Sequence, residues 1–185
     1  MPYLVRKISS RAKFQALEEV ESIRDVEGDF VTKEFRTNNN CLSTYFIKSI
    51  DCLYDAILAI VLTADNLEKL DVVVIDESLC QESGVFHCQT LAGRDIPIKE
   101  IKSEHHDLKE LTYGKFENVL NLYKKLVIID NKNHSSNKEE KNIIRFSEPR
   151  IKEIIKEALA NDRIEIERIH SDSIKSKVMK LQKPA

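Results

Sequence analysis

The sequence predicts an α+β fold: a mixed β-sheet packed by two core helices, followed by an amphipathic helical C-terminal portion. Three observations carry this expectation. Asp71-Val72-Val73-Val74-Ile75-Asp76 is a short β-branched run bounded by charges, the pattern of a central strand covered on both faces. Asp51 to Ala64 is apolar on nearly all sides, with Leu53, Ala56, Ile57, Ile60, Val61 and Ala64 at helical spacing, which marks a buried helix. Ile151, Ile154, Ile155, Ala158 and Leu159 recur at the spacing of one helix face and form the clearest amphipathic helix in the chain.

Taken in order, Tyr3 to Ile8 reads as an opening strand closed by Ser9-Ser10, and Arg11 to Leu17 as a short helix. Between Glu18 and Asp29 six acidic residues face one basic residue, the composition of a solvated surface that Gly28 ends. Phe30 to Phe35 is read as a second strand, Thr37 to Asn40 as a turn, and Leu42 to Ile47 as an alternating strand. Asp51 is the expected N-cap of the buried helix, with Asp55 complementing its dipole. Val85 to Cys88 and Asp95 to Ile98 are weaker strand candidates on either side of a turn at Ala92 to Asp95.

A loop holding His105-His106-Asp107 then leads into a helix with Phe116, Val119, Leu120, Tyr123 and Leu126 on one face. Ile143 to Phe146 suits a strand, and Ser147-Glu148-Pro149 opens the amphipathic helix with a capping serine and an early proline. A last helix from about Ser173 carries Ile174, Val178 and Leu181 on one stripe. The expected organisation is a core domain over residues 1–130, a polar loop over 131–142 and a helical portion over 143–185. About four to six strands suit a sheet of this kind.

Composition sets limits on function. With 185 residues, 42% hydrophobic and 32% charged, and a net charge of −2, the chain has the makings of a packed core and is neither collagen-like nor wholly disordered. No apolar stretch follows the early basic residues, so no secretory signal is expected. The longest uncharged apolar run, Ala56 to Ala64, is far shorter than the roughly 20 residues of a membrane span. Cys41, Cys52, Cys80 and Cys88 show no C-x-x-C pairing, so reduced thiols in a cytoplasmic protein are expected, with no metal and no cofactor.

Each motif bearing on chemistry has a simpler structural counterpart. Asp76-Glu77 at the end of an apolar run has the form of a Walker B strand, but no G-x-x-x-x-G-K-[ST] loop accompanies it, which excludes a P-loop nucleotidase. Asp76 with Glu100 and Lys102 has the spacing of a restriction-type nuclease core, in which two carboxylates hold a divalent metal and a lysine steadies the attacking water. Against it, Pro97 sits badly in a central strand, and Glu-x-Lys recurs at Glu139 to Lys141. His105, His106 and Asp107 suggest a base or metal ligands, and equally a helix-entry loop. Cys80, His87 and Cys88 lack the spacing and the fourth ligand of a zinc site.

Basic residues gather at both ends of the chain: Arg6, Lys7, Arg11 and Lys13 near the start, and Lys175, Lys177, Lys180 and Lys183 near the end. Lys175, Lys177 and Lys180 are candidate phosphate contacts, suited to auxiliary nucleic-acid backbone contact rather than base recognition. The leading functional expectation is a non-catalytic accessory or adaptor subunit of a bacterial cytosolic multiprotein complex, of an anti-phage defence or toxin-antitoxin type. Ile151, Ile154, Ile155, Ile174, Val178 and Leu181 would form its interface with a protein partner. The alternatives are a metal-dependent nuclease or phosphodiesterase and a homo-oligomeric binding domain.

Overall fold

The computed structural model describes residues 1–37, 39–65, 67–90, 96–98, 104–135 and 141–182. Among the described residues six strands and seven α-helices follow along the chain: β1 (Tyr3–Ile8), α1 (Arg11–Gln15), α2 (Gly28–Glu34), β2 (Leu42–Ile47), α3 (Leu53–Leu62), β3 (Leu70–Asp76) and α4 (Glu77–Glu82). They continue with β4 (His87–Gln89), β5 (His105–Leu108), α5 (Phe116–Ser135), β6 (Ile143–Phe146), α6 (Glu148–Ala160) and α7 (Asp172–Gln182). The strands form one sheet in the order β4-β5-β2-β1-β3-β6. The fold is α+β, as expected, but the sheet is not mixed: each of its pairings is antiparallel.

Strand alternation explains why this sheet needs helices on both faces. Leu4 and Val5 on β1, and Val73 and Val74 on β3, send successive side chains to opposite sides, and all four are buried. Val5, Val72, Val74 and Ile47 pack beneath α3, α6 and α7 in one core. Leu4, Ile8, Val73 and Ile75 pack beneath α1, α2 and α5 in the other. An inner strand apolar on both faces therefore reads as an unbroken hydrophobic run, the pattern seen at Val72 to Ile75, which lies one strand in from the sheet's edge.

Several local expectations are corrected. Phe30 to Phe35 is not a strand: residues Gly28–Glu34 form α2. Its Phe30, together with the C-capping Phe35, joins Phe14 and Tyr123 in an aromatic cluster, with Phe14 and Tyr123 ring centres 4.7 Å apart and Phe35 and Tyr123 5.6 Å apart. Three apolar residues in six fit either period, and packing on α5 selects the helix. Asp51 does not cap α3, because a 3-10 turn over Ile50–Cys52 precedes it, led by Ser49. Asp55 does lie in the first turn of α3. His105 to Asp107 belong to β5 rather than to a loop, since Ser43, Thr44 and Tyr45 pair with them.

The expected division at residue 130 falls inside α5, which runs on to Ser135. A buried acid makes the join: Asp130 Oδ1 accepts the backbone N–H groups of Asn142 at 2.7 Å and Ile143 at 3.1 Å. Beyond it, β6 pairs with β3, so residues 143–146 complete the sheet of the core. Ser147 caps α6 by accepting from the Arg150 N–H, and Pro149 lies in the first turn, as the sequence signals.

Candidate functional site

The residues expected to dock on a partner are used within the chain itself. Ile151, Ile155, Ile174 and Val178 have no exposed surface, Ile154 is buried, and the half-buried Leu181 packs against the same cluster, which includes the apolar face of α3. The two amphipathic stripes thus pack against each other and α3 within the chain. Of the lysines on α7, Lys175 is half-buried while Lys177 and Lys180 are exposed. Lys175 and Lys180, with Asp172, Ser176 and Met179, border a shallow depression of about 340 Å³.

Asp76 acts as the N-cap of α4, its Oδ1 accepting from the Ser78 N–H at 2.8 Å and from the Ser78 hydroxyl at 2.7 Å. Glu100 and Lys102, the other members of the candidate nuclease trio, lie outside the described residues. Cys80 is fully buried, and burial first, then the nearby carboxylates of Glu77 and Asp76, pushes its thiol up to about 12. Such a thiol is a poor metal ligand. Among the described residues, no group of three or more His, Cys, Asp or Glu side chains is placed to hold a metal ion.

The two adjacent histidines separate because neighbours on a strand face opposite ways. His105 turns toward Tyr45, whose ring it meets edge-on at 5.5 Å, and its Nδ1 lies 2.9 Å from the Thr90 hydroxyl. Burial holds its imidazole below the usual range. His106 stacks on Phe46 with ring centres 4.9 Å apart and planes at 15°. On that same face its Nδ1 lies 3.1 Å from Nδ1 of His87 on β4, and His87 Nε2 lies 3.1 Å from Glu77 Oε1 at the start of α4.

Glu77, His87 and His106 therefore form a hydrogen-bonded chain built from three elements. With Glu77 ionised, His87 donates from Nε2, so its Nδ1 lone pair accepts from His106 Nδ1–H. That assignment leaves the accepting nitrogen at His106 Nε2 and satisfies both contacts with neutral rings. Desolvation is the main cause that holds the His106 imidazole below its ordinary value, with the adjacent His87 adding to it. No motif spacing signals this group. The β4–β5 register brings residues 87 and 106 together, and the placement of α4 after β3 brings residue 77 to them.

A second feature stands on the opposite helical layer. Tyr54 in the first turn of α3 is 39% exposed, and Arg150 of α6 lies over its ring at 5.2 Å while donating to its hydroxyl at 2.8 Å. Glu153 holds the same guanidinium at 2.9 Å, and Phe146 meets the Tyr54 ring edge-on at 6.4 Å. Ile50, about one turn earlier in the chain, is 46% exposed. The result is an aromatic and arginine surface whose side chains are already ordered.

No protein-family model matches the chain, and neither a curated protein nor a solved structure matches it. No helix among the described residues is long and apolar enough to cross a membrane.

Proposed function

We propose that this chain is a non-catalytic accessory subunit of a cytosolic multiprotein assembly, and that a protein partner seats on the surface formed by Ile50, Tyr54 and Arg150. The observation that carries the reading is the exposed Tyr54 ring held beneath the Arg150 guanidinium. Tyrosine and arginine dominate the binding energy of protein interfaces, because each offers a large contact area with a polar handle. Here the stacking and the hydrogen bond order both side chains in advance, which lowers the entropy lost on docking. Ile50, four residues before Tyr54 in the chain, is also exposed. The α7 lysines, exposed at Lys177 and Lys180, are available for auxiliary contact with a nucleic-acid backbone held in the same assembly.

The test is quantitative co-purification of the tagged chain from its native cells, alongside a Tyr54→Ala/Arg150→Ala double variant of unchanged circular dichroism. The reading expects a stoichiometric protein partner with the parent chain and at least a tenfold loss of it with the variant, as removal of about 1.4 kcal/mol or more would produce. Equal recovery with both chains overturns it. Light scattering of the purified chain separates the remaining case: dimerisation abolished by the double variant would make a second copy the occupant and replace the accessory reading with self-assembly.

A further inference from the structure

We propose that Glu77, His87 and His106 form a proton-counting latch that holds the edge strand β4 in place at neutral pH and releases it on acidification. The geometry accommodates one proton between the facing Nδ1 atoms, which lie 3.1 Å apart. With both rings neutral, that proton bridges them, and His87 Nε2–H bonds to Glu77. A first added proton enters at His106 Nε2 and leaves both bonds in place. A second has only the His87 Nδ1 lone pair to occupy. It sets two N–H groups and two positive charges against each other at hydrogen-bond distance, and the contact must part.

The charged neighbours set the balance. The start of α4 contributes Glu77, β4 contributes His87, the residue before β5 contributes Glu104, and β5 contributes His105 along with His106. From β2 the facing group is the uncharged Phe46 ring. The carboxylates of Glu77 and Glu104 favour the first proton, whereas burial and the neighbouring imidazoles oppose charge on His106. The 3.1 Å contact between the two rings therefore opposes a second positive charge at this site.

What the latch secures is a marginal element. Strand β4 has three residues and, among the described residues, pairs in the sheet with β5 alone. Its register is marked by the Thr90 N–H donating to the His105 carbonyl at 2.9 Å and the Lys109 N–H donating to the Phe86 carbonyl at 2.8 Å. A strand so short gains little from its ladder bonds, so the side-chain chain into α4 adds to the Thr90–His105 contact in holding it.

Amide hydrogen exchange of the full chain at pH 7.5 and pH 5, corrected for intrinsic rates, tests the latch. The Thr90 and Lys109 amides are expected to exchange about tenfold faster at pH 5, the effect of one pKa unit of coupling, while β1 and β3 amides keep their protection. In His106→Gln, which retains hydrogen-bonding groups but cannot gain a proton, that acid response is expected to vanish. Unchanged local protection across this range, or the same acid response in His106→Gln, overturns the proposal. Should that variant not fold, imidazole ¹⁵N shifts of the parent chain decide: two coupled steps with His87 protonated at Nε2 support the latch, and independent titration of the two rings overturns it.

Discussion

Asp71 and Arg145 stand opposite each other across β3 and β6 and close a two-point ion pair, Nε to Oδ1 at 2.7 Å and Nη2 to Oδ2 at 2.8 Å. Asp71 is buried and also accepts from the Arg11 N–H at 3.3 Å, while the Arg145 side chain remains 45% exposed. The pair ties the edge strand β6 to its neighbour β3 through a carboxylate whose burial makes the guanidinium opposite it necessary.

Arg145→Met is expected to destabilise the chain at pH 7, because it leaves the Asp71 carboxylate buried with one long backbone contact. The pH dependence follows from the hydrogen bond to Arg145, which foremost holds the Asp71 carboxyl below its ordinary value. A depressed folded pKa gives stability that is complete above the unfolded value of about 3.9 and is lost as pH falls through the folded one. Urea unfolding should therefore show a gap between parent and variant at pH 7 that closes as pH falls below the unfolded value and through the folded one. A gap independent of pH would assign the effect to packing alone.

Ile174→Ala is expected to cost about 2–5 kcal/mol, the range for truncating a fully buried aliphatic side chain. Because α7 packs on its own chain, the loss should be the same at low and high protein concentration. A concentration-dependent loss in thermal unfolding would instead place that stripe between two chains.

Asp130→Ala is expected to cost about 2 kcal/mol, since it leaves the Asn142 and Ile143 N–H groups without their acceptor. Exchange at the Ile143 amide should rise with it. Asp130→Asn keeps a carbonyl acceptor and is expected to recover part of the loss, which chemical denaturation of the three chains would measure.

Thiol titration with an aromatic disulfide at pH 8 should modify Cys41, Cys52 and Cys88, which are part-exposed, and leave Cys80 intact until the chain is unfolded. The Cys80 thiol is fully buried and pushed up to about 12, so thiolate is scarce in the native state. Rapid modification of all four thiols in native conditions would contradict the packing of α4 on the sheet.

The long periodic segments are legible in the order of residues. Val72 to Ile75, the apolar α3 and the Ser147-capped α6 all carry patterns whose period or capping chemistry admits one local structure. Phe30 to Phe35 misleads because its apolar residues satisfy both periods, and the aromatic ring of Tyr123, about ninety residues away, decides between them. His105 and His106 resemble a loop because a four-residue strand of mainly polar side chains has no hydrophobic alternation to announce it. The stripes on α6 and α7 are plainly apolar, but a stripe does not state what covers it.

The sequence by itself determined the α+β class, a strand buried on both faces at Val72 to Ile75 and the main helices, because burial imposes its period on the residues that undergo it; that this strand lies next to the sheet's edge rather than at its centre, the tertiary structure decided. Tertiary structure alone decided that the sheet is antiparallel, that α6 and α7 are satisfied within the chain, and that Glu77, His87 and His106 meet. Those outcomes depend on strand order and register, which join residues distant in the chain through backbone pairing that any side chain permits, and so leave no local mark in the order of amino acids.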